Sequence, residues 1–192
     1  MYSPNNLSEP AQLKESHGRM LAYIEDELMP MRDEQLRWKP NPKKWSVAEC
    51  AGHLVQAHHP YLERMEKRKS SLKPKKAEFR PGPLGKFFFK LIRVKEDGMP
   101  GRTMGAPGFM QPLEDQIKNP HLTLKTLVGQ LKQFNNYIDQ SIDKNWNGTP
   151  VSTSLNPLIK IRWGDAIRFL AAHNERHLLQ AQRVTKEAGF PK

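Results

Sequence analysis

Two histidines that are four residues apart are the first feature of this sequence that could do chemistry. They stand in the run His173-Asn-Glu-Arg-His177. Residues at positions i and i+4 of a helix lie on one face, one turn apart, so both imidazoles can reach a single ion. The pair also falls on the apolar stripe of its predicted helix, where two rings need partners. The alternatives are a hydrogen-bonded pair of core histidines or a chance spacing.

The pair does not form the H-E-x-x-H motif of metalloproteases. The only acid between the two histidines is Glu175, two residues from each. Two residues correspond to about 200° around a helix, so its carboxylate is predicted to point away from the ion. We therefore do not assign Glu175 as a general base.

His53 is a third candidate ligand. It precedes Leu54 near the apolar stripe of a helix far upstream. Three histidines with an open fourth position are typical of catalytic metal sites, whereas structural sites are closed by four protein ligands. The predicted cofactor is a divalent metal, Zn, Ni, Fe or Mn, because the cellular choice among such ions depends on availability as well as on the ligands.

Three polar residues lie one turn from the predicted ligands. Gln180 follows His177, while Glu49 and Gln56 flank His53. Groups at such positions can fix the tautomer and orientation of a ligating imidazole. The alternative for each is an ordinary polar residue at the edge of a bundle.

The other histidines and the single cysteine have weaker assignments. His58 follows Leu54 by one turn, which predicts a place in the pocket or the core. We expect His17, His59 and His121 at the surface. Cys50 lies one turn before His53 and could be a soft ligand or a reactive thiol, although a small buried hydrophobic residue is the commoner role.

Four long amphipathic segments must position these residues. Apolar side chains recur at helical spacing in them, and strand-like alternation is not predicted anywhere in the chain. Ser46 and Glu49 form an S-x-x-E capping box at the start of the second segment. The prediction is an all-α, four-helix bundle with long crossover connections, in one domain spanning 1–192. The helices are predicted at about 8–31, from 46 into the basic stretch before Pro74, 123–142 and 163–188.

The second connection, at about 70–122, is long, basic and rich in proline and glycine. A short apolar helix is predicted inside it at 84–94. Residues 64–95 hold twelve Lys or Arg and two Glu, which gives 12 − 2 = +10 of the net charge of +11. Because the positive charge is concentrated in one segment, it suggests one anionic contact rather than a nucleic-acid-binding fold. The sequence also shows no nucleic-acid-binding motif.

Cysteine usage and hydropathy bear on the compartment. One cysteine excludes an intramolecular disulfide and is compatible with a reducing environment. The first residues lack a secretory pattern, and no apolar run approaches the roughly 20 residues that span a bilayer. We expect a cytoplasmic protein.

Two motifs together resemble the DinB/YfiT-like superfamily. They are Trp45-Ser46-x-x-Glu49-x-x-x-His53-Leu54 and His173-Asn-Glu-Arg-His177-Leu-Leu-Gln180. The resemblance implies a four-helix bundle, often a homodimer, with His53, His173 and His177 as ligands of one divalent metal. It also implies activity on small molecules: some members are S-transferases that use low-molecular-weight thiols such as bacillithiol or mycothiol, and others are described as metal-dependent hydrolases.

Two functions are therefore predicted. The first is a metal-dependent thiol S-transferase or hydrolase, in which the basic segment holds the carboxylates or phosphates of an anionic thiol or substrate. The alternative is a non-catalytic binding module that docks residues 64–95 to an anionic membrane surface or ligand. A simpler interpretation of that segment is a solvated basic loop whose phenylalanines pack on the bundle.

Overall fold

The computed structural model describes residues 9–95, 99 and 105–192, and this part of the chain is mostly helical. The all-α prediction is confirmed. None of these helices combines the length and apolar character needed to cross a bilayer. The α-helices are α1 Pro10–Tyr23, α2 Asp33–Arg37, α3 Val47–Arg68, α4 Pro83–Ile92, α5 Glu114–Lys118, α6 Pro120–Gln140 and α7 Trp163–Thr185.

The four long helices α1, α3, α6 and α7 form the bundle. Helix α3 packs between α6 and α7, and α1 contacts both α6 and α7. All four helices supply buried apolar residues to two adjoining clusters. Burial of such side chains is the main favourable term in folding. One cluster includes Leu13, Tyr61, Phe134 and Trp163, and the other includes Met20, Leu54, Leu127 and Leu178.

Helix α3 begins at the predicted capping box. The Glu49 backbone N–H donates to Ser46 Oγ at 3.1 Å, and the Ser46 N–H donates to the Glu49 carboxylate at 2.7 Å. Both groups would otherwise lack partners at a helix start, so the motif fixes where α3 begins. This fixed start places His53 two turns into the helix.

The first helix is not uniform. After Tyr23 it continues as one π-helical turn, Ile24–Leu28, which ends before Pro30. The predicted start at residue 8 lies outside the described residues. Two short helices, α2 and α5, which the periodicity did not predict, lie in the connections.

Helix α4 is held against the first turn of α7. The Gly82 backbone N–H donates to the Asp165 carboxylate, with both oxygens at 3.2 Å. A Cβ atom at Gly85 would overlap the same carboxylate, so glycine permits this close approach. Phe89 and Ile92 are buried beneath α4. The short helix predicted inside the long connection is therefore confirmed, and it forms part of the packed structure.

The prediction that no strand would form was wrong. Strands β1, Pro150–Ser152, and β2, Lys160–Arg162, pair antiparallel just before α7, with Val151 opposite Ile161. Those two side chains are the buried ones of the two strands. Strands of three residues with one inward side chain each are too short to show a period-2 pattern.

Candidate metal centre

Helices α3 and α7 bring the three predicted ligands together. His53 projects from α3, and His173 and His177 project from successive turns of α7, which packs along α3. The three residues are only 3%, 6% and 8% exposed. Each ring offers one nitrogen, and the three nitrogens lie within 4.8 Å of one another.

Hydrogen bonds at the far side of two rings fix which nitrogen faces the cluster. His53 Nδ1 lies 2.7 Å from the carbonyl oxygen of Met110, and His177 Nδ1 lies 3.0 Å from Gln180 Oε1. A carbonyl oxygen can only accept, so His53 Nδ1 carries the hydrogen. The amide oxygen of Gln180 imposes the same tautomer on His177. Both Nε2 atoms therefore carry lone pairs, the form in which imidazole binds a metal.

The donor set fits a single divalent ion. Two Nε2 lone pairs face one small volume, and the only hydrogen that could lie between the rings is one on His173 Nε2, 3.2 Å from His53 Nε2. One hydrogen cannot satisfy two lone pairs, whereas a cation can. Nitrogens held tetrahedrally at about 2.0–2.1 Å from zinc lie about 3.3 Å apart. The distance of 3.2 Å between His53 Nε2 and His173 Nε2 is close to this value, and the third nitrogen lies within 4.8 Å of both.

The protonation states agree with this chemistry. Burial lowers the pKa of His53. Burial, followed by the neighbouring imidazoles and Arg176, lowers the pKa values of His173 and His177 well below 6.5. All three rings are therefore neutral at pH 7, as metal ligands must be.

The three polar candidates near the ligands have different fates. Gln180 contacts a ligand, His177, as described above. The Glu49 carboxylate instead caps α3 and pairs with Lys39 Nζ at 2.8 Å. Gln56 is partly buried, and no hydrogen bond joins it to any of the three histidines in the structure as described.

The Met110 carbonyl is a site group that sequence reasoning missed. It comes from a one-turn 3₁₀ helix, Gly108–Met110, in the long connection. It orients His53 from outside the two ligand helices. A backbone acceptor leaves no trace in residue types, so only the path of the chain could have revealed it.

The prediction of a surface position for His17 was wrong. Its side chain is fully buried and its Nδ1 lies 2.8 Å from Asn135 Oδ1. The sequence held the signal, because His17 is four residues after Leu13 and three before Met20, on the buried stripe of α1. Burial lowers the pKa of His17, against the raising effect of the hydrogen bond that its ring donates to Asn135 Oδ1.

The remaining histidines lie where they were expected. His58 is fully buried between helices and does not line the cleft beside the ligands, so it has the core position of the two predicted for it. His59 is exposed. His121 is partly exposed, with a side chain that is 40% exposed and pairs with Asp33 at 2.8 Å.

Cys50 and Glu175 lie outside the ligand cluster. Cys50 is 1% exposed in an apolar cluster, and burial raises the pKa of its thiol, so it packs as a small hydrophobic residue. The residue Glu175 is 3% exposed, and burial raises the pKa of its carboxyl group, while Arg19 lowers it. As predicted, Glu175 is not among the residues whose ligand atoms converge.

A cleft of about 860 Å³ opens beside the three histidines. The indole of Trp45 covers two of the ligand rings, with centroid distances of 4.9 Å to His53 and 5.8 Å to His177. Phe169 stacks on His173 at 5.8 Å with an interplanar angle of 9°. These aromatic contacts hold the rings in place and shield part of the site from water, so the open side of the cluster faces the cleft.

The cations of the cleft do not come from the basic segment. The lining of the cleft includes Lys43, Lys44, Arg176 and Arg183. None of the twelve basic residues of 64–95 belongs to the lining, as far as the chain is described. The long connection contributes mainly apolar and small residues, such as Phe88, Leu91, Ile92, Met99 and Met110.

Comparison with known proteins agrees with this architecture. Residues 12–181 match the family model of the DinB superfamily. No curated protein and no solved structure matches the chain significantly. The matched range contains all three clustered histidines and all four bundle helices except the first residues of α1 and the last residues of α7. The chain belongs to the DinB superfamily.

Proposed function

We propose that this protein is a metal-dependent enzyme that transfers a low-molecular-weight thiol to a small electrophile, or hydrolyses a small substrate, at His53, His173 and His177. The observation that carries the proposal is the convergence of three buried, neutral imidazoles beside an open cleft. When bound, a divalent ion supplies Lewis acidity that lowers the pKa of a thiol or a water molecule.

The protein's own groups prepare the site. Met110 and Gln180 hold two of the rings in the ligating tautomer. Trp45 and Phe169 pack on the rings and exclude water from one side. The cleft is large enough for a substrate of ordinary metabolite size.

The nucleophile is borrowed rather than built into the chain. The only cysteine, Cys50, is buried, and the raised pKa of its thiol keeps it protonated. In the transfer reaction the cosubstrate thiol loses its proton to solvent water, its sulfur forms a bond to the electrophilic carbon, and the bond from that carbon to the leaving group breaks, so that the leaving group departs with the electron pair. In the hydrolytic reaction water takes the place of the thiol.

The first test is metal content. Protein purified without chelator, and protein incubated with Zn, Ni, Fe or Mn, should hold close to one ion per chain by elemental analysis. His173→Ala/His177→Ala should hold none. His59→Ala, which removes an exposed histidine from the same helix as His53, is the matched control and should keep the ion. Failure of the wild-type protein to take up any of the four ions would overturn the proposal.

The second test separates the two reactions. Metal-loaded protein is mixed with an activated aryl halide and a panel of low-molecular-weight thiols, or with an activated ester and no thiol. Formation of the thioether only when a thiol is present supports the transferase, and thiol-independent hydrolysis supports the hydrolase. Turnover must disappear in His177→Ala. Absence of both activities in metal-loaded protein would contradict an enzymatic role.

The membrane-docking alternative has one supporting observation. Leu84 and Phe87 on the outer face of α4 are 48% and 55% exposed, and the same helix carries the exposed Lys86 and Lys90. However, Phe88, Phe89 and Ile92 pack toward the bundle or the cleft, so few apolar anchors remain. If this surface docks to membranes, sedimentation with anionic vesicles at low salt should be lost in Leu84→Ser/Phe87→Ser. Equal sedimentation of wild type and variant would exclude α4 as the docking element.

A further inference from the structure

Helix α3 has a buried glycine, Gly52, directly before the ligand His53. Glycine is less favourable than alanine inside a helix, so its presence there needs a structural reason. A Cβ atom built at Gly52 would lie 2.9 Å from Pro112 Cβ and 3.1 Å from Gln116 Oε1. Carbon atoms in contact are normally about 3.5–4.0 Å apart, so a larger residue would push the long connection away from α3.

The part of the connection that meets Gly52 has little freedom to move aside. We call residues 108–118 the docked segment; its 3₁₀ turn and helix α5 both contact α3. Pro112 Cβ belongs to a ring that is fixed to the main chain. Gln116 Oε1 accepts a hydrogen bond from the Leu113 N–H at 2.9 Å. A side chain at position 52 would therefore displace the main chain of the docked segment.

The docked segment also carries the hydrogen-bond acceptor of His53. Met110 is two residues before Pro112, and its carbonyl oxygen lies 2.7 Å from His53 Nδ1. The contact at Gly52 and the hydrogen bond at His53 therefore join the same two parts of the chain at neighbouring positions. A shift of the docked segment at Pro112 would lengthen or misalign this hydrogen bond, and hydrogen bonds weaken steeply with poor geometry.

We propose that Gly52 is a positioning residue of the metal site: its missing side chain lets the docked segment approach α3, and this approach holds His53 in the tautomer that ligates a metal. The inference deepens the proposed function and rests on the metal site assigned there. Because docking of the segment favours the ion, the ion must favour docking by the same factor. The long connection then takes part in metal binding, although the ligand side chains come from α3 and α7.

The tautomer of His53 provides the first test. It is measured in chelator-treated protein by NMR of ¹⁵N-labelled histidine, because protonated and unprotonated ring nitrogens differ in chemical shift, and the signal is assigned by its loss in His53→Gln. In the wild-type protein the hydrogen should be on Nδ1. Gly52→Ala should move a measurable fraction of it to Nε2. The variant should also bind zinc about 10–100-fold more weakly in competition with a chromophoric chelator, as is typical for loss of a group that supports a ligand.

Two other helix glycines provide matched controls. A Cβ built at Gly129 on α6 meets nothing within 4 Å beyond its own helix, in the part of the chain that the structure describes, so Gly129→Ala should change neither measurement. A Cβ at Gly164, at the start of α7, would overlap the Phe79 ring at 2.6 Å. Gly164→Ala should lower the free energy of unfolding and leave the hydrogen of His53 on Nδ1. An equal tautomer shift in either control would overturn the inference, because general strain would explain it.

Removal of the overlapped atom should rescue the variant. Pro112→Gly deletes the Cβ that the new side chain of Gly52→Ala meets. Gly52→Ala should therefore cost clearly less zinc affinity in the Pro112→Gly background than in the wild-type protein. An equal cost in both backgrounds would contradict the inference, and so would an unchanged tautomer and zinc affinity in Gly52→Ala.

Hydrogen exchange of the wild-type protein keeps the inference testable if Gly52→Ala does not fold. The Met110 and Gln111 amides donate to the carbonyls of Pro107 and Gly108 at 2.9 and 3.1 Å. Zinc should slow their exchange by up to about tenfold, the reciprocal of the effect of docking on zinc affinity. Unchanged exchange in zinc-loaded protein would overturn the linkage. If no ion binds but Gly52→Ala still shifts the hydrogen of His53 in metal-free protein, the proposed function fails and the positioning role of Gly52 stands.

Discussion

His53, His173 and His177 border the cleft, whereas His17 and His58 lie deeper, among α1, α3, α6 and α7, and all five are buried. The first group turns nitrogen lone pairs toward one another. In the second group three of the four nitrogens meet amide side chains: those of His58 lie 2.9 Å from Gln130 Oε1 and 2.5 Å from Asn174 Oδ1, and His17 Nδ1 is paired with Asn135 Oδ1. Burial is common to both groups, and the partners decide whether an ion is needed.

The deeper group also constrains one amide. Gln130 Nε2 donates to the Val55 carbonyl at 3.3 Å, so its Oε1 must accept from His58 Nδ1. A neutral ring has no second hydrogen, and His58 Nε2 then needs a donor. We infer that Asn174 turns its Nδ2 toward His58, which also satisfies an amide nitrogen that is otherwise buried without a partner.

The strongest test of this comparison is to mutate one histidine of each group to alanine and to measure metal binding. Loss of a group that supports a metal ligand typically weakens metal binding about 10–100-fold. His53→Ala removes a ligand itself, so it should weaken metal binding by more than this. His58→Ala should keep the metal. Competition with a chromophoric chelator measures both. Equal metal loss in the two variants would show that the deeper histidine also belongs to the metal site.

Stability should respond in the opposite sense. His58→Ala leaves a cavity and strands Gln130 and Asn174 without their partner, so the free energy of unfolding should fall by about 2–4 kcal/mol. His53→Ala borders the open cleft, where water can enter, and should cost less. Urea unfolding of both metal-free proteins tests this order. If His53→Ala lowered the free energy of unfolding more than His58→Ala, the histidine that stabilises the fold would be the one at the cleft.

The pH dependence of stability should depend on the deeper group. Burial lowers the pKa of His58 to about 4, against the raising effect of its hydrogen bond to Gln130. Between pH 6.5 and about 4 the unfolded chain binds a proton that folded His58 does not bind. The free energy of unfolding of metal-free protein should therefore fall as pH drops through this window, with at most about 3 kcal/mol from His58.

His58→Gln provides the control for that titration. The variant should show a shallower fall over the same window, although His17, whose pKa is also lowered by burial, still contributes. Chemical unfolding at a series of pH values, with chelator present, gives both curves. Parallel curves for wild type and His58→Gln would mean that His58 is not the group responsible.

The smallest effect is expected at Gln180. Gln180→Leu removes the acceptor that holds the tautomer of His177, and should lower metal affinity about tenfold. Gln56→Leu, which removes a glutamine from outside these contacts on α3, should leave affinity unchanged. Chelator competition distinguishes the two variants, and an unchanged Gln180→Leu would show that the cluster alone fixes His177.

Residue spacing predicted those parts of the site that lie on regular helices. The i, i+4 pair on α7 and the capping box of α3 predicted the positions of the three clustered histidines, because both features are local. The hairpin at β1 and β2 was missed because each strand has three residues and only one inward side chain, Val151 or Ile161, which is too short a pattern to show alternation. The Met110 contact was missed because its acceptor is a backbone atom.

The charge pattern of the sequence differs from the distribution of charge around the cleft. The sequence concentrates +10 in residues 64–95, and it was reasonable to expect that segment to hold an anionic substrate. The cleft instead takes its cations from Arg176, Arg183 and the lysines before Trp45, where the linear density of charge is low. A cluster of charges along the chain is therefore not a cluster of charges at the cleft, although Phe88, Leu91 and Ile92 of the same segment do line it.

The Met110 carbonyl carries a consequence for how this protein can vary. Because the acceptor belongs to the main chain, exchange of the side chain at position 110 leaves it in place, and the surrounding sequence can drift as long as the chain keeps its path. Insertions and deletions near this turn would move the carbonyl away from His53. We therefore expect insertions and deletions at this turn to abolish metal binding in variants of this chain more often than substitutions there do.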